Sequence, residues 1–139
     1  MNTVIDLLAE EVELHDGVEG HACAVVSIKD NDGFVADTLY ANENNDRPIF
    51  VLVTQTKDLN GGLSALGVAI RLFYDQAGKP SVQSVFAVVD SGTYLAHRIN
   101  QRDVLWDQDS RQLTIDFDVD FRFGGESFNM ANGRIELKV

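Results

Sequence analysis

Polar and apolar residues alternate with a period of two along most of this chain. The clearest example lies at residues 113–123, where Asp116, Asp118 and Asp120 alternate with large apolar residues. Side chains two positions apart on a β-strand point to the same side, so this pattern predicts a strand with one buried and one solvated face. Short apolar, β-branched runs predict further strands at residues 21–29, 34–41, 49–56, 66–75, 81–90 and 93–99, and another that begins near residue 104.

Turn-forming residues separate these predicted strands. The sequence DNDG at residues 30–33 predicts a tight turn, and the Ser-Gly pair at 91–92 predicts another. Residues 42–48 are polar and predict an irregular loop. The Asn-Gly pair at 132–133 is a strong hairpin signal, so the last segment, 126–139, is predicted to fold as two short strands joined by a turn.

The N-terminal segment fits two periodicities. Val4, Ile5, Leu8 and Val12 lie on one face of a helix, whereas Val12 and Leu14 also alternate with acidic residues as in a strand. We expect residues 1–10 to form a short helix or an irregular arm, followed by a strand.

The order of these elements predicts the fold class. About nine or ten short strands with close turns are typical of antiparallel sandwiches and barrels. We therefore expect a single all-β domain over residues 1–139 with little helix. An antiparallel β-sandwich of jelly-roll or Greek-key type is favoured, and a closed or partly closed β-barrel is the alternative.

The charge of the chain restricts its partners. Its 22 acidic and 11 basic residues give a formal net charge of −11 and a pI near 4.4. A surface of this sign repels nucleic-acid phosphates and anionic lipid. We therefore expect no nucleic-acid or membrane partner. A basic protein partner, self-association or a bound cation is more natural, and the alternative is that the acidity serves solubility alone.

The cysteine content and the N-terminal sequence indicate a compartment. Cys23 is the single cysteine, which excludes an intrachain disulfide. The first residues lack the basic and apolar regions of a secretory signal. No run approaches the roughly 20 apolar residues of a membrane span. We expect a soluble, cytoplasmic protein.

The three aspartates of residues 113–123 raise the question of a cation site. Calcium requires about six to eight oxygen ligands, and a straight strand cannot converge three carboxylates on one ion. We therefore interpret Asp116, Asp118 and Asp120 as a solvated strand face, and the alternatives are an interaction edge or a weak cation site. The same three residues could also pair with Arg134 or Lys138 on an adjacent strand. Residues 30–33 resemble the start of a calcium loop, but the glycine comes too early and the terminal glutamate is missing.

The nucleophiles and histidines do not form a catalytic pattern. His21 and Cys23 share a strand face but lie too far apart for a direct hydrogen bond. Asp90, Ser91 and His97 contain the residue types of a hydrolase triad without the nucleophile-elbow sequence. The glycine-rich segments match no phosphate-binding motif. We predict no catalytic residue, no metal site and no cofactor.

Aromatic and acidic residues near strand ends are the remaining candidates for recognition. A rim of tryptophan, tyrosine and carboxylates suits binding of a protein or a carbohydrate. For Trp106, the alternative is that the indole closes one end of the sandwich core. The predicted binding residues are Trp106, Tyr94, Asp107, Asp109, Asp116, Asp118 and Asp120.

Three functions remain open from the sequence. The favoured one is a non-enzymatic interaction module that binds another protein, either as an immunity or inhibitor protein or as an assembly subunit. The second is a small barrel that carries an apolar molecule. The third is a hydrolase or isomerase that uses carboxylates such as Asp90, Asp116, Asp118 or Glu126.

Overall fold

Two antiparallel β-sheets of five strands each form the fold. The computed structural model describes residues 18–123 and 125–139. The strands are β1 (Glu19–Ile28), β2 (Asn31–Val35), β3 (Thr38–Asn44), β4 (Arg47–Gln55), β5 (Leu66–Tyr74), β6 (Pro80–Val89), β7 (Gly92–Leu95), β8 (Arg98–Asp107), β9 (Gln112–Phe123) and β10 (Glu126–Lys138).

The two sheets pack as a sandwich, which confirms the favoured fold class over a closed barrel. Sheet I has the order β2-β1-β10-β9-β8, and sheet II has the order β3-β4-β5-β6-β7. Strands that follow one another in sequence are neighbours within each sheet, and β1 pairs with β10. The described strands therefore form a meander, and not the Greek-key or jelly-roll connectivity that we expected.

The chain passes from one sheet to the other at two positions. At the first, the Ala36 amide donates to Ala22 O in sheet I (2.9 Å) and the Asp37 amide donates to Thr54 O in sheet II (2.9 Å). At the second, the Ala96 amide donates to Val85 O (2.9 Å), whereas the His97 amide donates to Asp120 O (2.8 Å). The runs at 34–41 and 93–99 are thus strands, as predicted, but each is divided between the sheets.

The space between the sheets is filled by apolar side chains. Along β9 the buried positions alternate with half-exposed aspartates, as the sequence predicts. The Phe121 and Phe128 rings stack within this core, with centroids 5.2 Å apart. The buried residues of β9 that join this core are Leu113, Ile115, Phe117, Val119 and Phe121.

The predicted hairpin at Asn132-Gly133 is wrong, because β10 is one continuous strand that contains a β-bulge there. Asn132 has φ 51°, and the register with β9 shifts between Met130 and Gly133. The register with β1 places one extra residue on β10 at the same point. Phe128 and Met130 face the core before the bulge, and Ile135 and Leu137 face it afterwards. The extra residue therefore reverses which positions are buried.

Two other turns lie at different positions from those predicted. The first hairpin turns at Lys29 and Asp30, with φ values of 47° and 67°, and not at the Asp-Gly pair of residues 32–33. Residues 42–48 are no irregular loop, because β3 and β4 are joined by a tight turn at Asn45 and Asp46 with φ values of 53° and 60°. Two successive positive φ values are the backbone of a two-residue hairpin turn, and Asn and Asp tolerate them.

Two further expectations concern the ends of elements. The strand predicted to begin near residue 104 begins at Arg98 as β8. The expected helix or arm of residues 1–10 and the strand after it lie outside the described residues. Among the residues that the structure describes, no helix has the length and apolar character that crossing a membrane requires.

A buried asparagine ties the first hairpin to the loop between β4 and β5. The Asn31 side chain donates to the carbonyl oxygens of Ile28, Lys29 and Asn60, each at 3.0 Å. Its Oδ1 accepts from the Asn60 amide at 2.9 Å. Both the donor and the acceptor of this 6% exposed side chain therefore have local partners.

Replacing Asn31 by alanine is expected to lower the free energy of unfolding by about 2 to 3 kcal/mol, because main-chain groups at Asn60 and in the hairpin lose their partners. Urea denaturation measures the change. Asn60→Ala is the matched control, because it keeps the main-chain contacts and removes one 3.3 Å bond to Asp30 O. We expect that control to cost less than about 1 kcal/mol. Equal losses in the two variants would contradict the account of Asn31.

Adding a side chain at Gly133 is expected to destabilise the fold by about 1 to 3 kcal/mol through overpacking. A Cβ at this position would lie 2.4 Å from Cζ of the buried Phe117 ring. Gly33→Ala is the control, because its Cβ would meet nothing closer than 3.9 Å. Phe117→Leu should offset part of the cost of Gly133→Ala in a double-mutant cycle followed by thermal unfolding. Additive costs would show that the ring is not the obstacle.

Candidate functional site

The outer face of sheet I carries the row of aspartates that the sequence singles out. Asp116, Asp118 and Asp120 point away from the core of the sandwich and are half-buried among their neighbours on β8 and β10. Asp103 lies directly across from Asp116 on β8. We call these four residues the acidic row.

Asn129 on β10 connects two members of the acidic row. Its side-chain amide donates to Asp118 Oδ1 at 2.8 Å and to Asp120 Oδ1 at 2.7 Å. Asn129 pairs with Asp120 in the β9–β10 ladder, so the strand register places the amide between the two carboxylates. This bridge fixes the separation and the orientation of the two charged groups.

A second amide supports the same pair from the other side. Asn100 on β8 donates to Asp118 Oδ1 at 3.1 Å and to Asp120 Oδ2 at 3.3 Å. The β8–β9 register shifts between Ile99 and Gln101, which places Asn100 at an irregularity of the ladder. The two carboxylates are therefore held by neutral donors on both neighbouring strands.

A chain of polar contacts between side chains continues from the other end of the row. Arg134 Nε lies 3.2 Å from Asp116 Oδ1 and 3.1 Å from Glu136 Oε1. Glu136 Oε2 in turn lies 3.0 Å from His21 Nε2. The pairing of the aspartates with Arg134 that the sequence predicts is thus present at Asp116, across the register pair that joins the two residues.

Neutral amides, more than cations, surround Asp118 and Asp120. Hydrogen bonds from Asn129 and Asn100 lower the pKa of Asp120, and the charges of Arg98 and His97 contribute less. Because amides stabilise the ionised form without cancelling its charge, Asp120 keeps a negative charge held at a fixed position.

Exposed apolar side chains flank the acidic row. Leu105 lies on β8 and is 72% exposed. Val25 on β1 and Val35 on β2 lie toward the opposite edge of the same outer face and are 55% and 65% exposed. The outer face of sheet I therefore combines a charged centre with apolar margins.

The remaining predicted binding residues lie elsewhere. Trp106 is half-buried against the core between the sheets, donates to Gln108 Oε1 (3.1 Å) and is covered by the Arg111 guanidinium 5.6 Å from its centroid. This contact with the core agrees with the interpretation that the indole closes one end of the sandwich. Tyr94 also packs against the core, but from β7 of sheet II. The structure does not bring Tyr94 and Trp106 together.

Asp107 is the last residue of β8, and Asp109 lies in the turn between β8 and β9. Asp107 Oδ1 accepts from the amides of Asp109 (3.0 Å) and Ser110 (3.4 Å). Hydrogen bonds from the Ser110 backbone and side chain and from the Asp109 amide lower the pKa of Asp107. Its carboxylate shapes the turn, whereas Asp109 is exposed.

What the acidic row can offer a binding partner is carboxylate groups held at fixed positions. The described residues contain no group of three or more ligating side chains with metal-binding geometry. The Asn129 amide also occupies the position between Asp118 and Asp120 that a bridging cation would take. A general acid needs a raised carboxyl pKa, and that of Asp120 is shifted the other way.

Sequence reasoning missed Asn100 and Asn129. Both lie beside the acidic row only in the observed register, and both are next to a ladder irregularity. The sequence analysis set no register between residues 126–130 and the strand before them, so it did not place Asn129 opposite Asp120. The amide side chains themselves were the only available signal, and asparagine is common on any solvated surface.

Comparison with known proteins identifies no function for this arrangement of residues. The chain matches no protein-family model, no curated protein and no solved structure. A functional proposal for this protein therefore rests on its fold and its surface alone.

Replacing Asn129 by alanine is expected to raise the pKa of Asp120 toward its ordinary value of 3.8, because the strongest donor to the carboxylate is lost. Carboxyl-carbon NMR titration between pH 2 and pH 6 (about two units around the ordinary value) measures the shift. Asn100→Ala should raise the same pKa less, since its contacts are longer. A pKa of Asp120 unchanged by Asn129→Ala would contradict the bridge.

Proposed function

We propose that this protein is a non-enzymatic interaction module whose acidic row binds a basic protein partner. The observation that carries the proposal is the pair of amide bridges that holds Asp118 and Asp120 at fixed positions. Carboxylates fixed in advance lose little side-chain entropy when they accept hydrogen bonds from lysine or arginine. Such a row suits a partner with a matching row of cations.

The charge of the whole chain supports the same partner. A net charge of −11 attracts a basic protein over a distance and raises its rate of association. The exposed Leu105, Val25 and Val35 supply apolar contact around the charged centre. The outer face of a sheet with five strands of about ten residues measures roughly 24 by 33 Å, close to the ~800 Å² that one partner of a standard interface buries.

The other two functions have less support. A carrier needs room between the sheets, whereas side chains of both sheets form one continuous buried cluster there. An enzyme that uses general acid catalysis needs a carboxyl group with a raised pKa. Among the described residues, the aspartates with a clear pKa shift are Asp37, Asp107 and Asp120, and each of these pKa values is lowered.

The test compares two triple variants with the same change in net charge. Asp116→Asn, Asp118→Asn and Asp120→Asn neutralise three members of the acidic row. Asp30→Asn, Asp46→Asn and Asp58→Asn neutralise three exposed turn and loop residues outside the strands that carry the acidic row. We expect the first variant to lose at least about tenfold in affinity for the natural partner and the second to lose much less. The reason is that direct contacts between the row and the partner contribute more to affinity than the long-range attraction of the net charge.

Native mass spectrometry of the protein isolated from its natural source identifies the partner, and titration calorimetry then measures the two affinities. Equal losses of affinity in the two variants would show that the acidic row contributes only through the net charge of the protein. A monomer that carries a bound apolar molecule and no protein would instead favour the carrier function.

A further inference from the structure

A groove opens along the side of the sandwich where β6 of sheet II lies beside β8 of sheet I. Strand β7 has four residues and pairs with Phe86–Val89 of β6, so the first half of β6 has no ladder partner on this side among the described residues. Strand β8 is the margin of sheet I. The groove between the two strands has a volume of about 590 Å³. This is the size of a small-molecule site, for which about 300 to 1,000 Å³ is usual.

Apolar side chains form the floor and the rims of this groove. Val82 of β6 and Val104 of β8 line it and pack against the core between the sheets, so they form its floor. Phe73 of β5 is 50% exposed and Leu105 of β8 is 72% exposed, and both line the groove from its rims. Single exposed apolar residues are common on protein surfaces, but here two of them border one depression. The groove therefore offers apolar area to a ligand.

Two cations line the same groove without acidic partners. Arg102 is opposite Phe117 in the β8–β9 ladder, and Phe117 is buried in the core. Residues opposite each other point to the same side of a sheet, so the Arg102 side chain leaves β8 on the side that faces sheet II. Lys79 lies directly before β6. None of the ion pairs between described residues includes Arg102 or Lys79. Both charges are therefore available to an anion.

Two carboxylates near these cations in the sequence accept from other donors. Asp103 Oδ2 accepts from Gln101 Nε2 at 2.9 Å, and Asp103 follows Arg102 directly, so its side chain points to the opposite side of β8. Asp75 Oδ1 accepts from the Lys79 amide at 2.8 Å. The groove thus presents cations, although the chain as a whole has a net charge of −11.

We propose that this groove binds an organic anion with an apolar body, of the size of a medium-chain carboxylate. The apolar body packs on Val82 and Val104 between the exposed rims. The carboxylate accepts hydrogen bonds from Arg102 and Lys79. Such sites are mostly apolar and contain a few polar groups that fix the orientation of the ligand. Arginine suits this role because its guanidinium can bind a carboxylate through two parallel hydrogen bonds.

An extended peptide suits the same groove less well. Strand β6 enters it at Pro80, which has no amide hydrogen to donate to an added strand. A charged side chain that points inward from a sheet margin, as Arg102 does on β8, opposes pairing with another strand. The lining residues therefore favour a small molecule over a strand of a partner protein.

Decanoate is the probe that tests the proposal. Its binding to the full chain labelled with nitrogen-15 is followed by amide chemical shifts, and their concentration dependence gives the Kd. We expect saturable shifts at the amides of Ser81, Val82 and residues 102–105, which line the groove. Hexanoate has a shorter chain and should bind at least about tenfold more weakly, because each buried methylene group strengthens binding.

Two double variants with the same change in net charge test the cations. Arg102→Gln with Lys79→Gln removes both charges from the groove. Lys57→Gln with Arg122→Gln removes two exposed charges that do not line it. We expect the first variant to bind decanoate at least about fivefold more weakly than the unchanged protein and the second to remain within about twofold, because exposed charges act mainly on near neighbours.

Several results would overturn the proposal. The absence of saturable shifts, or shifts centred away from the groove, would mean that decanoate does not bind there. Equal affinities for hexanoate and decanoate would remove the role of the apolar floor. Equal weakening in the two double variants would leave only an effect of net charge.

Unchanged decanoate binding by the Arg102→Gln and Lys79→Gln variant would also overturn it. If that variant self-associates as well, the two cations serve to guard the sheet margin against strand addition. None of these measurements uses a protein partner or changes Asp116, Asp118 or Asp120. The proposed ligand site and the proposed function of the acidic row therefore fail separately.

Discussion

The bulge at Asn132 determines which residues of β10 face the core and which face solvent. A strand alternates strictly, so Asn129 and Arg134, which are an odd number of positions apart, would otherwise lie on opposite sides of sheet I. One extra residue lets both reach the aspartates of β9. It also keeps Met130 and Ile135 in the core. The contacts that β10 makes with the acidic row and with the core therefore depend on this one extra residue.

The alternation of residue types predicted most of the strands, because burial of one face constrains every second residue. It also indicated the change of phase in β10, since the apolar positions are even up to Met130 and odd from Ile135. A hairpin and a bulge both account for such a change, and Asn-Gly favours either one. The close contact between Gly133 and the Phe117 ring, which fits only the continuous strand, depends on distant packing that local sequence does not contain.

The candidate site was predicted in part for the same reason. The aspartates of β9 could be placed on one face from their spacing alone. Their partners could not, because Asn100 and Asn129 meet them through the registers of two different ladders. The outer faces of the sheets differ accordingly: charge and bridging amides on sheet I, and a buried apolar cluster on sheet II. Only the first resembles the surface of a protein that recognises a charged partner.

The passages of the chain between the sheets also bear on pairing with a strand of another molecule. The strands β2 and β3, and likewise β7 and β8, are the margins of their sheets, and each pair is joined directly at a crossing. At the first crossing, side chains accept from main-chain amides: Gln55 accepts from Val35 at the end of β2, and Asp37 accepts from Thr56 and Lys57 in the following loop. The Val35 amide already has an intramolecular acceptor, so the end of β2 offers one donor fewer to a strand added at this margin.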